Sequence, residues 1–107
     1  MIIKHLPLLK NTRIAGITLF PFIFIRDKHR LNDKRLINHE KIHIRQQIEL
    51  LVIIFYLIYV INYIILRFKY NHDKAYRNIV FEREAYINDR NLEYLKTRKL
   101  FTFIKYF

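Results

Sequence analysis

From Leu50 to Leu66 the chain reads LLVIIFYLIYVINYIIL, seventeen residues with no charge and with Asn62 as the one strongly polar member. As a helix this run is about 25 Å long, at the lower limit for crossing a bilayer. Lys and Arg flank it on both sides, which suits an anionic leaflet, while Tyr56, Tyr59 and Tyr63 suit an interface or an ordinary core. The remaining sequence must be read around it. With a single glycine, Gly16, and two prolines, Pro7 and Pro21, no flexible linker divides the chain, and no repeat is visible. Residues 1–107 therefore read as one domain with one modest core.

Upstream, IAGITLFPFIFI from Ile14 to Ile25 is rich in β-branched and aromatic residues. Pro21 within it confines the segment to an edge strand, a bulge or a hairpin. The polar stretch RDKHRLNDKR follows, with Asn32 or Asp33 placed to cap a helix that starts near Lys34 and ends near Leu50. After the apolar run and a second polar stretch, AYRNIVFEREAYINDRNLEYLK carries apolar residues at helical intervals and predicts one further helix. The fold class is mainly α with a short N-terminal β-strand or hairpin (α+β). The tail LFTFIKYF is too short to assign.

The first helix contains His39-Glu40-Lys41-Ile42-His43, an HExxH motif. Residues four apart stack on one helix face, so both imidazoles can reach one ion. Glu40, about 100° away around the helix, lies beside that ion, where a carboxylate can take a proton from metal-bound water. Cysteine is absent, so any metal is held by His and carboxylates, and this donor set favours a single Zn2+ ion. A third ligand is sought among Glu82, Glu84 and Glu93. On a helical wheel Glu82 falls amid Ala75, Ile79, Ala85, Tyr86 and Leu92 with Asp89 beside it, whereas Glu84 projects to the opposite side, between Phe81 and Val80. A carboxylate centred on a buried face is costly unless it binds a metal or pairs with a cation, so Glu82 is the better ligand. The bland alternative is that Glu82 pairs with one of the many Arg or Lys residues.

His39, Glu40, His43 and the segment Glu82-Arg83-Glu84-Ala85 together resemble the gluzincins, in which an HExxH helix is followed by a helix that supplies a glutamate ligand. The resemblance implies a minimal zincin-like core: an HExxH helix, an apolar helix and a glutamate-bearing helix. It also implies a zinc peptidase with ligands His39, His43 and Glu82 and base Glu40. Membrane-associated members carry ExxAD; Tyr86 replaces that Asp here, and Asp89 one turn on is the substitute for orienting a ligand histidine. The longer pattern HExxHxRQ followed by YRNxxFEREAY, over about Asn38 to Asn88, is similar to a family of small, largely uncharacterised bacterial proteins. The upstream strand is similar to the edge on which zincins lay an extended peptide, and a plain core strand is the alternative. His72, Tyr76, Arg77 and Tyr86 are the candidates for oxyanion stabilisation or support of the ligands.

The zinc site and a membrane span exclude each other in one chain, because His43 precedes the apolar run and Glu82 follows it. The run is therefore expected to pack as a core helix, or to lie partly in a membrane interface and return. Zinc-dependent hydrolysis of a peptide or protein substrate is the leading expectation. A non-catalytic zinc-stabilised or membrane-associated interaction protein is the alternative. A net charge of +11 favours anionic partners, yet the cations are scattered and no nucleic-acid motif appears, which argues against nucleic acid and leaves a membrane surface as a partner. Met1 to Lys10 lacks the long apolar core of a signal peptide, so the expected location is cytoplasmic or membrane-associated. Nothing in the sequence sets an oligomeric state.

Overall fold

The computed structural model describes residues 2–107; Met1, the first residue of the domain read above, lies outside them. Three strands, β1 (Ile2–His5), β2 (Gly16–Leu19) and β3 (Phe22–Ile25), precede five helices: α1 (Lys34–Glu49), α2 (Ile53–Arg67), α3 (His72–Asn78), α4 (Val80–Asn88) and the short α5 (Tyr94–Thr97). The fold is thus mainly helical with a small N-terminal sheet, an α+β arrangement.

The sheet has the order β1-β3-β2, with β1 parallel and β2 antiparallel to β3. Phe20 and Pro21 form the turn between β2 and β3, so residues 14–25 are a hairpin and the proline is spared from the ladder. Alternation along β3 sends Ile23 and Ile25 into the core. β1 was not expected. All four of its residues are exposed, so no hydrophobic alternation marks it in the sequence.

Asp33 caps α1 by accepting from the Leu36 amide at 3.1 Å. The apolar run does not continue that helix. Leu51 and Val52 adopt φ of 56° and 58°, a left-handed conformation that costs a β-branched residue strain, and α2 leaves at 113° to α1. Among the described residues no single helix is long and apolar enough to cross a membrane. Because the chain turns back, the run does not separate His43 from Glu82.

Expecting one helix across residues 75–96 also needs correction. The segment breaks at Ile79, whose ψ of 134° is extended, and α4 restarts at Val80. Asn62 supplies the reason: its side-chain oxygen accepts from the Val80 amide at 2.7 Å and replaces the helical bond that the break removes. The one strongly polar residue of the apolar run is a cap for a different helix.

The core forms two clusters. Ile23, Ile25 and Ile44 join the sheet to α1; Phe55, Ile79, Val80, Phe81 and Phe103 join α2, α4 and the C-terminal turn Thr102–Tyr106. Helix α1 lies between them, with Ile44 in the first cluster and the neighbouring His43 ring 6.2 Å from that of Phe55 in the second.

Candidate metal centre

Helical spacing brings His39 and His43 to one face of α1, and α4 delivers Glu82 opposite them. Glu82 Oε1 lies 3.0 Å from His39 Nε2 and 3.1 Å from His43 Nε2, and the two Nε2 atoms are 3.2 Å apart. All three side chains are buried. What lies behind each imidazole decides what this triangle means. His39 Nδ1 faces Asp89 Oδ2 at 2.8 Å, an acceptor, so it must carry the hydrogen. His43 Nδ1 faces Gln46 Oε1 at 2.8 Å. The Gln46 amide cannot be turned round, because its Nε2 donates to Glu84 Oε1 at 2.9 Å and to the Phe81 carbonyl at 3.2 Å. Both neutral imidazoles therefore present bare Nε2 lone pairs toward a carboxylate oxygen.

Three acceptors pointed at one another in the interior repel unless something positive stands between them. Tetrahedral zinc with bonds of about 2.0–2.1 Å places its ligand atoms about 3.3 Å apart, so a small outward shift would admit the ion. Without a metal, a proton supplies the charge. Burial works against a charged His43, but the charge and hydrogen bond of Glu82 prevail and raise its pKa to about 9. Burial likewise pushes Glu82 up, and the positive charge on His43 with the two histidine bonds outweighs it, leaving Glu82 well below the usual carboxylate range. Tyr59 donates to the other oxygen, Oε2, at 2.7 Å.

Glu40 points elsewhere. Its Oε2 accepts from Thr18 Oγ1 on β2 at 2.8 Å, and burial raises its pKa against the pull of His43 and His39. The only glycine of the chain stands against it: a Cβ on Gly16 would lie 3.0 Å from Glu40 Oε1. Close approach, and not an unusual φ, is what requires glycine there.

These groups open on a cleft of about 840 Å³ between β2, α1, α2, α3 and α4. His72, Tyr76, Arg77, Tyr86 and Asp89 all line it. Asp89 holds His39 and is itself held by Arg35 Nε at 2.8 Å. The Tyr86 ring meets His39 edge-on at 4.5 Å, and the Arg77 guanidinium sits 4.1 Å above that ring. Tyr86 donates to Tyr76 at 3.4 Å, whereas His72 pairs with Tyr63 at 2.8 Å on the exposed rim. Tyr56, Tyr59 and Tyr63 face this cleft and do not form an outward interfacial belt.

Glu84 does leave α4 on the side away from the metal centre, but that side is equally buried. Arg98 Nη2 reaches Glu84 Oε1 at 3.1 Å and its Nη1 reaches Glu49 Oε2 at 2.7 Å. Among the described residues Glu82 forms ion pairs with histidines alone, so the expected alternative of an Arg or Lys partner applies to Glu84 instead. Glu93 pairs with Lys96 at the surface. Along β2, the Thr18 carbonyl already accepts from Gln47 Nε2 at 2.9 Å and from the Tyr56 hydroxyl, so the edge left for an extended peptide lies upstream of Thr18. Sequence reasoning missed Gln46, although its place one turn from His43 was a signal; Thr18, Tyr59 and Arg35 are brought in by tertiary packing alone. No family model, curated protein or solved structure matches the chain, so its own geometry must carry the functional argument.

Proposed function

We propose that this chain is a zinc-dependent metallopeptidase of the gluzincin type, hydrolysing peptide bonds with one Zn2+ ion held by His39, His43 and Glu82. The supporting observation is the convergence of two bare Nε2 atoms and a carboxylate beside Glu40, a buried carboxyl that bonds to none of them. Bound zinc supplies a water of lowered pKa and polarises a peptide carbonyl. Glu40, its affinity for a proton raised by burial, takes the proton from the attacking water and passes it to the departing amine. Thr18 and the bare Cα of Gly16 keep that carboxylate in place. Asp89 and Gln46 hold both imidazoles in the tautomer that leaves Nε2 free. Tyr86, whose ring meets His39 and is backed by Arg77, is the candidate for stabilising charge on the carbonyl oxygen.

The test pairs elemental analysis with peptide cleavage for the wild type and Glu40→Gln. One zinc per chain is expected in both, with cleavage falling about 10²–10⁴-fold in the variant. Cleavage that survives the substitution would remove Glu40 from the mechanism.

A second reading is favoured by the low exposure of the ligands, 4 to 6 %, and by Tyr59 closing off the second Glu82 oxygen. Here zinc ties α1 to α4 and stabilises the fold without turnover. Zinc that raises the melting temperature while a broad peptide library stays intact would select it.

A further inference from the structure

Helix α2 is inside out for a helix in water. Ile53, Leu57, Val60, Ile61, Ile64 and Ile65 form its outward arc and are 49 to 80 % exposed. Its polar side chains, Tyr56, Tyr59, Asn62 and Tyr63, face the cleft and α4. A surface helix normally shows the reverse, and a continuous aliphatic face of this length marks contact with an apolar phase or partner. The patch extends past both ends of the helix. Phe68 is 88 % exposed beyond its C-terminus, and Leu51 is 74 % exposed at the elbow before it. The Phe101 amide donates to Glu49 at 3.0 Å, which brings the tail, with Leu100 73 % exposed, to the same elbow.

Charge selects the occupant. Arg67 and Lys69 flank Phe68 and fall on either side of the aliphatic arc, and Lys99 and Lys105 bracket the exposed Leu100, Phe101 and Ile104 of the tail. Neither residues 50–72 nor residues 94–107 contain an acidic side chain. A second copy would set these cations against their own kind on a chain already at +11. Nucleic acid has no use for a face of aliphatics. Fifteen residues lying across the end of α1 at 113° suit a helix in the plane of a surface.

We propose that the outward face of α2, with Leu51, Phe68 and the C-terminal tail, docks into the surface of an anionic lipid bilayer, the aliphatics entering the acyl boundary and the Lys and Arg residues meeting the headgroups. The inward face of α2 then separates the lipid from the cleft. This inference does not depend on the metal or on catalysis.

The experiment is sedimentation of the full chain with vesicles of phosphatidylcholine alone and of phosphatidylcholine mixed with phosphatidylserine. Binding is expected to the anionic vesicles and to weaken with salt. The double variant Leu57→Ser, Ile64→Ser, altered only at exposed positions, is expected to bind about a hundredfold more weakly. As the chain has no tryptophan, Phe68→Trp in an otherwise unaltered chain supplies a second readout, with emission expected to shift to the blue on anionic vesicles. A wild type that ignores anionic vesicles, a double variant that binds as well as the wild type, or a Trp emission that does not move would each overturn the proposal. So would a stable dimer that shows no vesicle binding.

Discussion

Glu82 and Glu84 lie two residues apart on α4, and each carries a carboxylate into the interior on its own side of the helix. Glu84 meets Arg98, which also holds Glu49, and Tyr94 and Gln46 complete its hydrogen bonds. That cluster contains its own cation and is closed. Glu82 meets two imidazoles whose outer nitrogens are already committed to Asp89 and Gln46, so with both rings neutral its cluster holds acceptors alone, and the missing charge must come from a proton on His43 or from a metal ion. Gln46 joins the two, donating to Glu84 while accepting from His43. Burial of a carboxylate therefore does not by itself mark a metal ligand. What marks it is whether the surrounding bonds leave a positive charge missing.

The largest effect expected from breaking this comparison is at Arg98. Arg98→Met leaves Glu49 and Glu84 buried without a counter-ion and should cost about 3–5 kcal/mol in urea unfolding, with added zinc failing to repair it. A loss under 1 kcal/mol would mean that the carboxylates find water or protons cheaply. On the other side of α4, zinc should stabilise the wild type by about 2.7 kcal/mol at a free concentration a hundredfold above its Kd, read from unfolding curves with and without chelator. Asp89→Asn removes the negative charge behind His39 and leaves one acceptor oxygen where His39 and Arg35 now use two, and should weaken zinc binding about 10–100-fold in a competition titration, with little change in the fold of the metal-free chain. An unchanged affinity would show that the ligand ring is held by packing alone.

The smallest effect is on acid stability. Burial pushes the Glu84 carboxyl up, but its bonds from Arg98, Tyr94 and Gln46 prevail and hold it below its ordinary value of 4.5. A carboxyl lowered in the folded state adds stability above its unfolded pKa, and that contribution is lost as the pH falls below about 4.5 and through the folded value. Each proton taken up on unfolding gives a slope of at most about 1.4 kcal/mol per pH unit, measurable in melts of the zinc-free chain between pH 6 and 3. A chain that gains stability on acidification in that range would contradict the assignment.

Local physics was legible in the sequence where it acted alone. Helix α1 follows its periodicity and its Asp33 cap, and the spacing of His39 and His43 is a property of one helix. Breaks made by distant side chains were not legible. A wheel drawn through Ala75 and Ile79 assumes one axis, yet Asn62, seventeen residues before Ile79, ends that axis by capping α4. The charge-free run likewise gave no sign of its elbow, because Leu51 and Val52 are poor residues for a left-handed backbone. Its two faces were equally hidden: aliphatics and tyrosines alternate in the string, and only the folded chain shows the tyrosines turned inward. The bonds that fix the imidazole tautomers required coordinates, since Asp89 comes from another helix end and the Gln46 amide is oriented by Glu84.

The central claim is that one metal ion, in place of a proton on His43, supplies the positive charge among His39, His43 and Glu82. It is tested most directly by equilibrium dialysis of the full chain against zinc at neutral pH, followed by elemental analysis, for the wild type and for His43→Ala. One zinc per wild-type chain and none at that site in the variant is the predicted result. A wild type that emerges without zinc, or a variant that retains it in full, would contradict the account.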